Sequence, residues 1–158
     1  NNAGRMAKRS FVPGENSVQG FGHFDRELWH DVFDINLFTP MRIAELFIDN
    51  LSRADNGCIV TLSSMLGSMA MNSHGGIYAY RASKAGVNAI TRSMAIDLRE
   101  RGVTAVALHP GWVRTEMGGS GADLDIATSV EGMKSVIESL TPEDSGRFLS
   151  YDGSELPW

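Results

Sequence analysis

Tyr80-Arg81-Ala82-Ser83-Lys84, preceded by Thr61-Leu62-Ser63-Ser64, is the stretch on which the reading of this chain turns. The tyrosine and the lysine are four residues apart, so on a helix they share one face, a turn from each other. Thr61 to Ser64 closes an apolar, β-branched run that reads as a buried strand. A serine at that strand's end and the Tyr/Lys pair are three groups able to donate to, or polarise, one oxygen. They point to proton transfer at a carbonyl or an alcohol. A free phenol has a pKa near ~10, and a neighbouring ammonium lowers such a value by ~1–3 units. Lys84 is placed to do so for Tyr80. The competing Tyr78 has only Ala82 four residues on.

The elements on either side are strands joined through helices. Apolar residues at helical spacing from Leu28 to Phe47 predict a helix over about 25–51. Pro40 lies inside it and offers no N–H to the carbonyl of Asn36, four residues back. If that carbonyl is buried it needs another partner, and an ordered water is the natural one. Asp55-Asn56-Gly57 is a turn, and Cys58 to Ser64 is the first strand. A loop rich in Met, Gly and Ser leads to a long helix over about 77–99, ended by Arg101-Gly102. Val103 to Leu108 is a second buried strand, stopped by His109-Pro110-Gly111. Residues 112–126 show no period, and Gly118-Gly119-Ser120-Gly121 reads as mobile. Asp125 or Thr128 caps a helix over about 129–140. Phe148 to Tyr151 is a short third strand. This alternation predicts an α/β fold: a doubly wound parallel sheet of about three strands, covered by helices on both faces.

The totals exclude several classes. A length of 158 residues fits one domain, and 42% apolar with 21% charged residues is ordinary for a globular protein. A net charge of −5 and the lack of a long basic block argue against nucleic acid as a partner. No apolar run approaches the ~18 residues of a membrane span. The single cysteine, Cys58, has no partner for an internal disulfide and reads as a buried thiol in a reducing, cytoplasmic setting. His23, Asp25 and His30 lack the spacing of a metal-ligand motif, so no metal site is expected. Met65, Met69, Met71, Trp112 and Met117 indicate an apolar, adaptable pocket.

Asn1-Asn2-Ala3-Gly4, Ser64, the Tyr80/Lys84 pair and Pro110-Gly111, in that order, resemble the short-chain dehydrogenase/reductase family. The runs around Tyr80, His109 to Gly119 and Tyr151 to Trp158 look like its sniffer/C-factor group of carbonyl reductases. The resemblance implies a Rossmann-like fold of which this chain is the C-terminal catalytic part, a single partial domain over 1–158. It also implies a nicotinamide cofactor, NADP(H) in preference to NAD(H), and a small carbonyl or alcohol substrate. Catalysis would fall to Asn36, Ser64, Tyr80 and Lys84. The cofactor would be bound by Asn1, Ala3, Gly4, Tyr80, Lys84, Pro110, Gly111, Val113 and Thr115. Tyr80 would be the general acid or base, Ser64 would hold the substrate oxygen, and Asn36 would bind a water that links Lys84 to solvent. Met117 to Leu124 would form a lid over the substrate. The long helices would pair in a homodimer, with Ala79, Ala82, Gly86 and Ala89 as a small-residue stripe. The glycine-rich phosphate loop of the family lies outside this sequence, in βα units of roughly 30 residues each. Residues 1–158 alone are therefore expected not to turn over. Two other readings remain open: a non-catalytic dinucleotide-binding or signalling module, and a dehydratase or epimerase using the same Tyr/Lys pair.

Overall fold

The computed structural model describes residues 4–6 and 20–158. Its sheet has three parallel strands, β1 (Cys58–Leu62), β2 (Thr104–His109) and β3 (Phe148–Ser150), in the order β1-β2-β3. The register runs from Cys58 opposite Thr104 to Leu62 opposite Leu108, then from Ala107 opposite Phe148 to His109 opposite Ser150. Helices α1 (Arg26–Phe33) and α2 (Thr39–Leu51) precede β1. Helix α3 (Tyr78–Asp97) joins β1 to β2, and α4 (Ile126–Ser139) joins β2 to β3. The doubly wound arrangement expected from the alternation is present in these three strands.

Each face of the sheet carries its own core. On one, Ile59 and Ala105 meet Ala44 of α2 and Met94 and Ala95 of α3. On the other, Leu108 and Leu149 meet Val136 of α4, with Met133 and Leu140 beside it. Every residue of β2 is buried, as expected for a strand with neighbours on both edges and helices on both faces. Strand β1 alternates instead: Ile59 and Thr61 are buried, while Cys58, Val60 and Leu62 are half-buried. Cys58 is thus a half-buried free thiol, less enclosed than its apolar run indicated. Val87 and Leu108 are fully enclosed, and burying such a side chain is worth about 1.5–3 kcal/mol.

The predicted single helix over 25–51 is interrupted. Asp25 caps α1, accepting from the backbone N–H groups of Glu27 and Leu28 at 3.0 and 3.1 Å. Residues Asp34–Phe38 then form a π turn, in which Thr39 N–H donates to the Asp34 carbonyl five residues back. The register changes immediately before Pro40, the residue that cannot donate. The buried residue of this wider turn is Asn36. Gly57 is required at the entry to β1, because a Cβ there would stand 2.2 Å from the Leu51 carbonyl oxygen.

One further expectation is revised. Helix α4 begins at Ile126, three residues before its predicted start, because Asp125 is the cap and accepts from Thr128 N–H at 2.7 Å. Of the small-residue stripe, Gly86 faces the Leu37 side chain within the same chain, and Ala89 is exposed.

Candidate active site

The carboxyl end of β1 and the first turns of α3 are built against each other. Ser64 is extended (φ −151°, ψ 146°) and caps a 3₁₀ turn over Met65–Gly67. Its Oγ accepts from Leu66 N–H at 3.2 Å, and its carbonyl accepts from Gly67 N–H at 2.8 Å. A Cβ on Gly67 would lie 2.8 Å from the Lys84 carbonyl carbon, so this turn rests directly on the backbone of α3. Tyr80 shares one cavity wall with Ser64, whose hydroxyl acts on the phenol in the direction that lowers its pKa. Lys84, one turn on, donates from Nζ to the Leu62 carbonyl at 2.8 Å and sits 5.8 Å from the centre of the Tyr80 ring. All three side chains are buried.

Burial dominates the electrostatics. It raises the Tyr80 pKa above the ordinary phenol value, against the smaller lowering effect of the Ser64 hydroxyl. It lowers Lys84 to about 8. The four-residue spacing predicts that Lys84 pulls the phenol down. The structure reverses the direction, because desolvation of the phenolate outweighs what stabilises it, and the ammonium is itself disfavoured by burial. Tyr80 is therefore protonated at neutral pH, the form that gives up a proton. His109, at the end of β2, is lowered to about 4 by burial against a weaker opposing effect of Asp152, and is neutral.

Asn36 stands behind this group. It is fully buried; its Oδ1 accepts from Arg5 N–H at 2.6 Å, and its Nδ2 donates to the Arg5 carbonyl at 2.8 Å and to Ser83 Oγ at 3.0 Å. Ser83 Oγ in turn donates to the Tyr80 carbonyl at 2.8 Å. Asn36 thus reaches the Tyr80 backbone through Ser83 and does not line the cavity at the site. It also anchors the segment that contains Gly4. Asn1 and Ala3 lie outside the described residues.

A cavity of about 750 Å³ opens beside Ser64, Tyr80 and Lys84. Gly4 and the loop after β2 complete it, with Pro110, Gly111, Val113 and Thr115 all on its wall. Apart from Asn36, every predicted site residue that is described borders this one space. Ligands in open α/β sheets bind beyond the carboxyl ends of strands, which is where it lies. Gly111 has φ +83°, and a Cβ there would meet Leu124 at 2.3 Å. The stretch expected to be a mobile lid is folded back on the loop. Val113 bridges Leu124, Trp112 Nε1 donates to the Gly118 carbonyl at 2.8 Å, and Thr115 Oγ1 accepts from Gly118 N–H at 3.1 Å. Met65, Trp112 and Met117 line the cavity as expected, whereas Met69 and Met71 do not. A separate hollow of about 240 Å³, walled by Phe21, Phe24, Trp29 and Tyr78, contains none of the predicted site residues.

Sequence reasoning missed two supporting serines. Ser83 lies three residues after Tyr80, a spacing at which a helical serine can bond back to a carbonyl. Ser129 Oγ donates to the Pro110 carbonyl at 2.6 Å across nineteen positions, and no local signal marks it.

A family model described as short chain dehydrogenase matches residues 1–123. The C-signal protein of Myxococcus xanthus is 47% identical over 126 residues, 80% of this chain and 76% of that protein. Carbonyl reductase Sniffer of D. melanogaster superimposes with a TM-score of 0.89 at 34% identity, covering 100% of this chain and 64% of its own. An NADPH-bound carbonyl reductase from chicken fatty liver gives 0.84 at 30% identity, covering 96% of this chain and 64% of its own. The chain thus spans a little under two thirds of the length of these solved structures.

Proposed function

Since the chain belongs to the short-chain dehydrogenase family, we propose that it carries the proton-transfer half of an NAD(P)-dependent carbonyl reductase. The observation that carries this reading is the convergence of Ser64, Tyr80 and Lys84 on one cavity. The donor set also fits a nicotinamide nucleoside. The Lys84 ammonium is buried with one backbone acceptor, and among the described residues no carboxylate forms an ion pair with it. A buried ammonium has three donors to satisfy, and a ribose diol supplies acceptors without adding charge. When bound, the cofactor supplies the hydride in reduction or accepts it in oxidation. The NADPH-bound state of the chicken reductase favours NADP(H) here.

Ser64 donates to the substrate oxygen and keeps it against Tyr80. Tyr80 gives its phenolic proton to that oxygen in reduction and takes one back in oxidation. Its raised pKa suits the first direction. Lys84, at about 8, exchanges protons close to neutral pH and resupplies the site. Asn36, fastened by its side chain, is assigned a backbone-held water at the inner end of this path. The glycine-bearing loop from Pro110 to Thr115 and the segment at Gly4 flank the cofactor, with Asn1 and Ala3 beside Gly4. No helix among the described residues is long and apolar enough to cross a membrane, and we assign the protein to the cytoplasm. We also assign a homodimer through α2 and α3, supported by the exposed Phe38, Leu46 and Phe47.

Replacing Tyr80 with Phe in the whole protein tests this function. Turnover of NADPH with carbonyl substrates should fall by about 10²–10⁴-fold, the usual worth of a general acid, while cofactor affinity stays. Resemblance to a protein named C-signal supports a second reading, a dinucleotide-binding or signalling module. Under that reading Tyr80→Phe leaves function intact.

A further inference from the structure

A path of hydrogen bonds runs from Ser64 to the helical turn that carries Tyr80, through a residue outside the reactive set. Ser64 and Tyr80 border one cavity, and Ser64 Oγ accepts from Leu66 N–H at 3.2 Å. The Leu66 carbonyl accepts from Arg81 Nη1 at 3.2 Å. Arg81 adjoins Tyr80 in the chain, so the path ends beside the tyrosine. The same guanidinium donates from Nε to the Gly76 carbonyl at 3.1 Å. Arg81 N–H donates to the Ile77 carbonyl at 2.9 Å, the first bond of α3.

The segment that Arg81 grips is an unusual one. Gly75, Gly76 and Ile77 have φ of +65°, +66° and +51° in succession. A β-branched residue seldom adopts the left-handed conformation, and it persists only where its surroundings impose it. The one side chain bonded to this run from the start of α3 is Arg81; from the loop side, Asn72 Oδ1 accepts from Gly75 N–H at 3.0 Å. Arg81 thus ties the loop leading into Tyr80 to the turn leading out of Ser64. A planar fork reaches two carbonyls in fixed directions, which a single ammonium does not.

We propose that Arg81 is a positioning residue that sets the Ser64 hydroxyl against the Tyr80 phenol by clamping the Leu66 and Gly76 carbonyls. Its consequence for turnover rests on the reductase reading; its consequence for geometry does not. The test is made on the whole protein with tyrosine labelled at Cζ, the Tyr80 signal being assigned with Tyr80→Phe. Ser64→Ala marks where that signal moves when the neighbouring serine hydroxyl is lost. In Arg81→Met the signal should move to the Ser64→Ala position, and in Arg81→Lys it should lie between that position and wild type. The carbonyl-reductase kcat should fall roughly 10- to 100-fold in Arg81→Met with cofactor KM unchanged, the scale of a misplacement of about 1 Å. A wild-type Tyr80 signal in a folded Arg81→Met protein overturns the proposal. Should Arg81→Met fail to fold, Arg81→Lys decides by the same signal: unmoved overturns, displaced supports. If the wild-type protein shows no reductase turnover, the functional reading falls, and the tyrosine signal still judges the clamp.

Discussion

The Lys84 ammonium lies 5.8 Å from the centre of the Tyr80 ring and is held there by the Leu62 carbonyl. This one relationship joins the helix to the strand, because the anchor belongs to β1 and the tyrosine to α3. It also places two groups with opposing protonation tendencies side by side. Burial keeps the phenol protonated and loosens the proton on the amine.

The depressed pKa of Lys84 makes stability rise with pH. Below about 8 the folded and unfolded chains both hold the proton, and the penalty of burying the charge is fully present. Between about 8 and the unfolded value of 10.5 the folded chain has released the proton and the unfolded chain has not, so folding gains. The full rise is about 3 kcal/mol. Tyr80 opposes it only above its own unfolded value of 10.0. Urea unfolding between pH 7 and pH 10 should show this upward slope in the wild type and a flatter one in Lys84→Met.

His109 acts at the acid end. Its folded value of about 4 lies below the unfolded 6.5, so the unfolded chain takes up a proton first as pH falls. Stability is lost across that window by about 3 kcal/mol. His109→Asn should reduce the loss between pH 6.5 and pH 4, and the wild-type imidazole signal in NMR should titrate near the lower limit.

Asn36→Ala should destabilise the fold by about 1–3 kcal/mol, the cost of leaving polar partners unmatched. It removes two bonds to the Arg5 backbone and one to Ser83. Urea midpoints report the loss, and hydrogen exchange should show the Arg5 amide losing protection.

Gly67→Ala should cost about 1–3 kcal/mol by overpacking. Its new methyl would stand 2.8–3.0 Å from Lys84 and Ala85 backbone atoms and the Lys84 Cβ, and backbone cannot swing aside as a flexible side chain can. Thermal unfolding measures it. A neutral result would mean that the turn after Ser64 shifts freely on α3.

The order of the elements was legible because it depends on local patterns. Apolar spacing marked α3, apolar runs marked β1 and β2, and the cap of α4 was narrowed to Asp125 or Thr128, between which the structure chose Asp125. Pro40 announced a disturbance of the first long helix. Its form, a π turn that buries Asn36, was not readable, since the bond from Thr39 to Asp34 competes with an α-helical alternative of similar local quality. Arg81 sat in plain view inside the most informative stretch. Its partners are Leu66, fifteen positions away, and a backbone carbonyl in an unusual turn, and neither leaves a mark on spacing.

The sequence by itself determined which groups could meet: a tyrosine and a lysine one turn apart, a serine closing the preceding strand, and a proline-glycine break after the next. Helical and strand periodicity are properties of neighbouring residues, so they survive in a string of letters. Only the tertiary structure decided how those groups behave. The direction of the Tyr80 shift, the loosened proton of Lys84 and the neutrality of His109 all follow from how much water the packed chain excludes. That exclusion is the joint work of helices and strands far apart in sequence, and no local pattern encodes it.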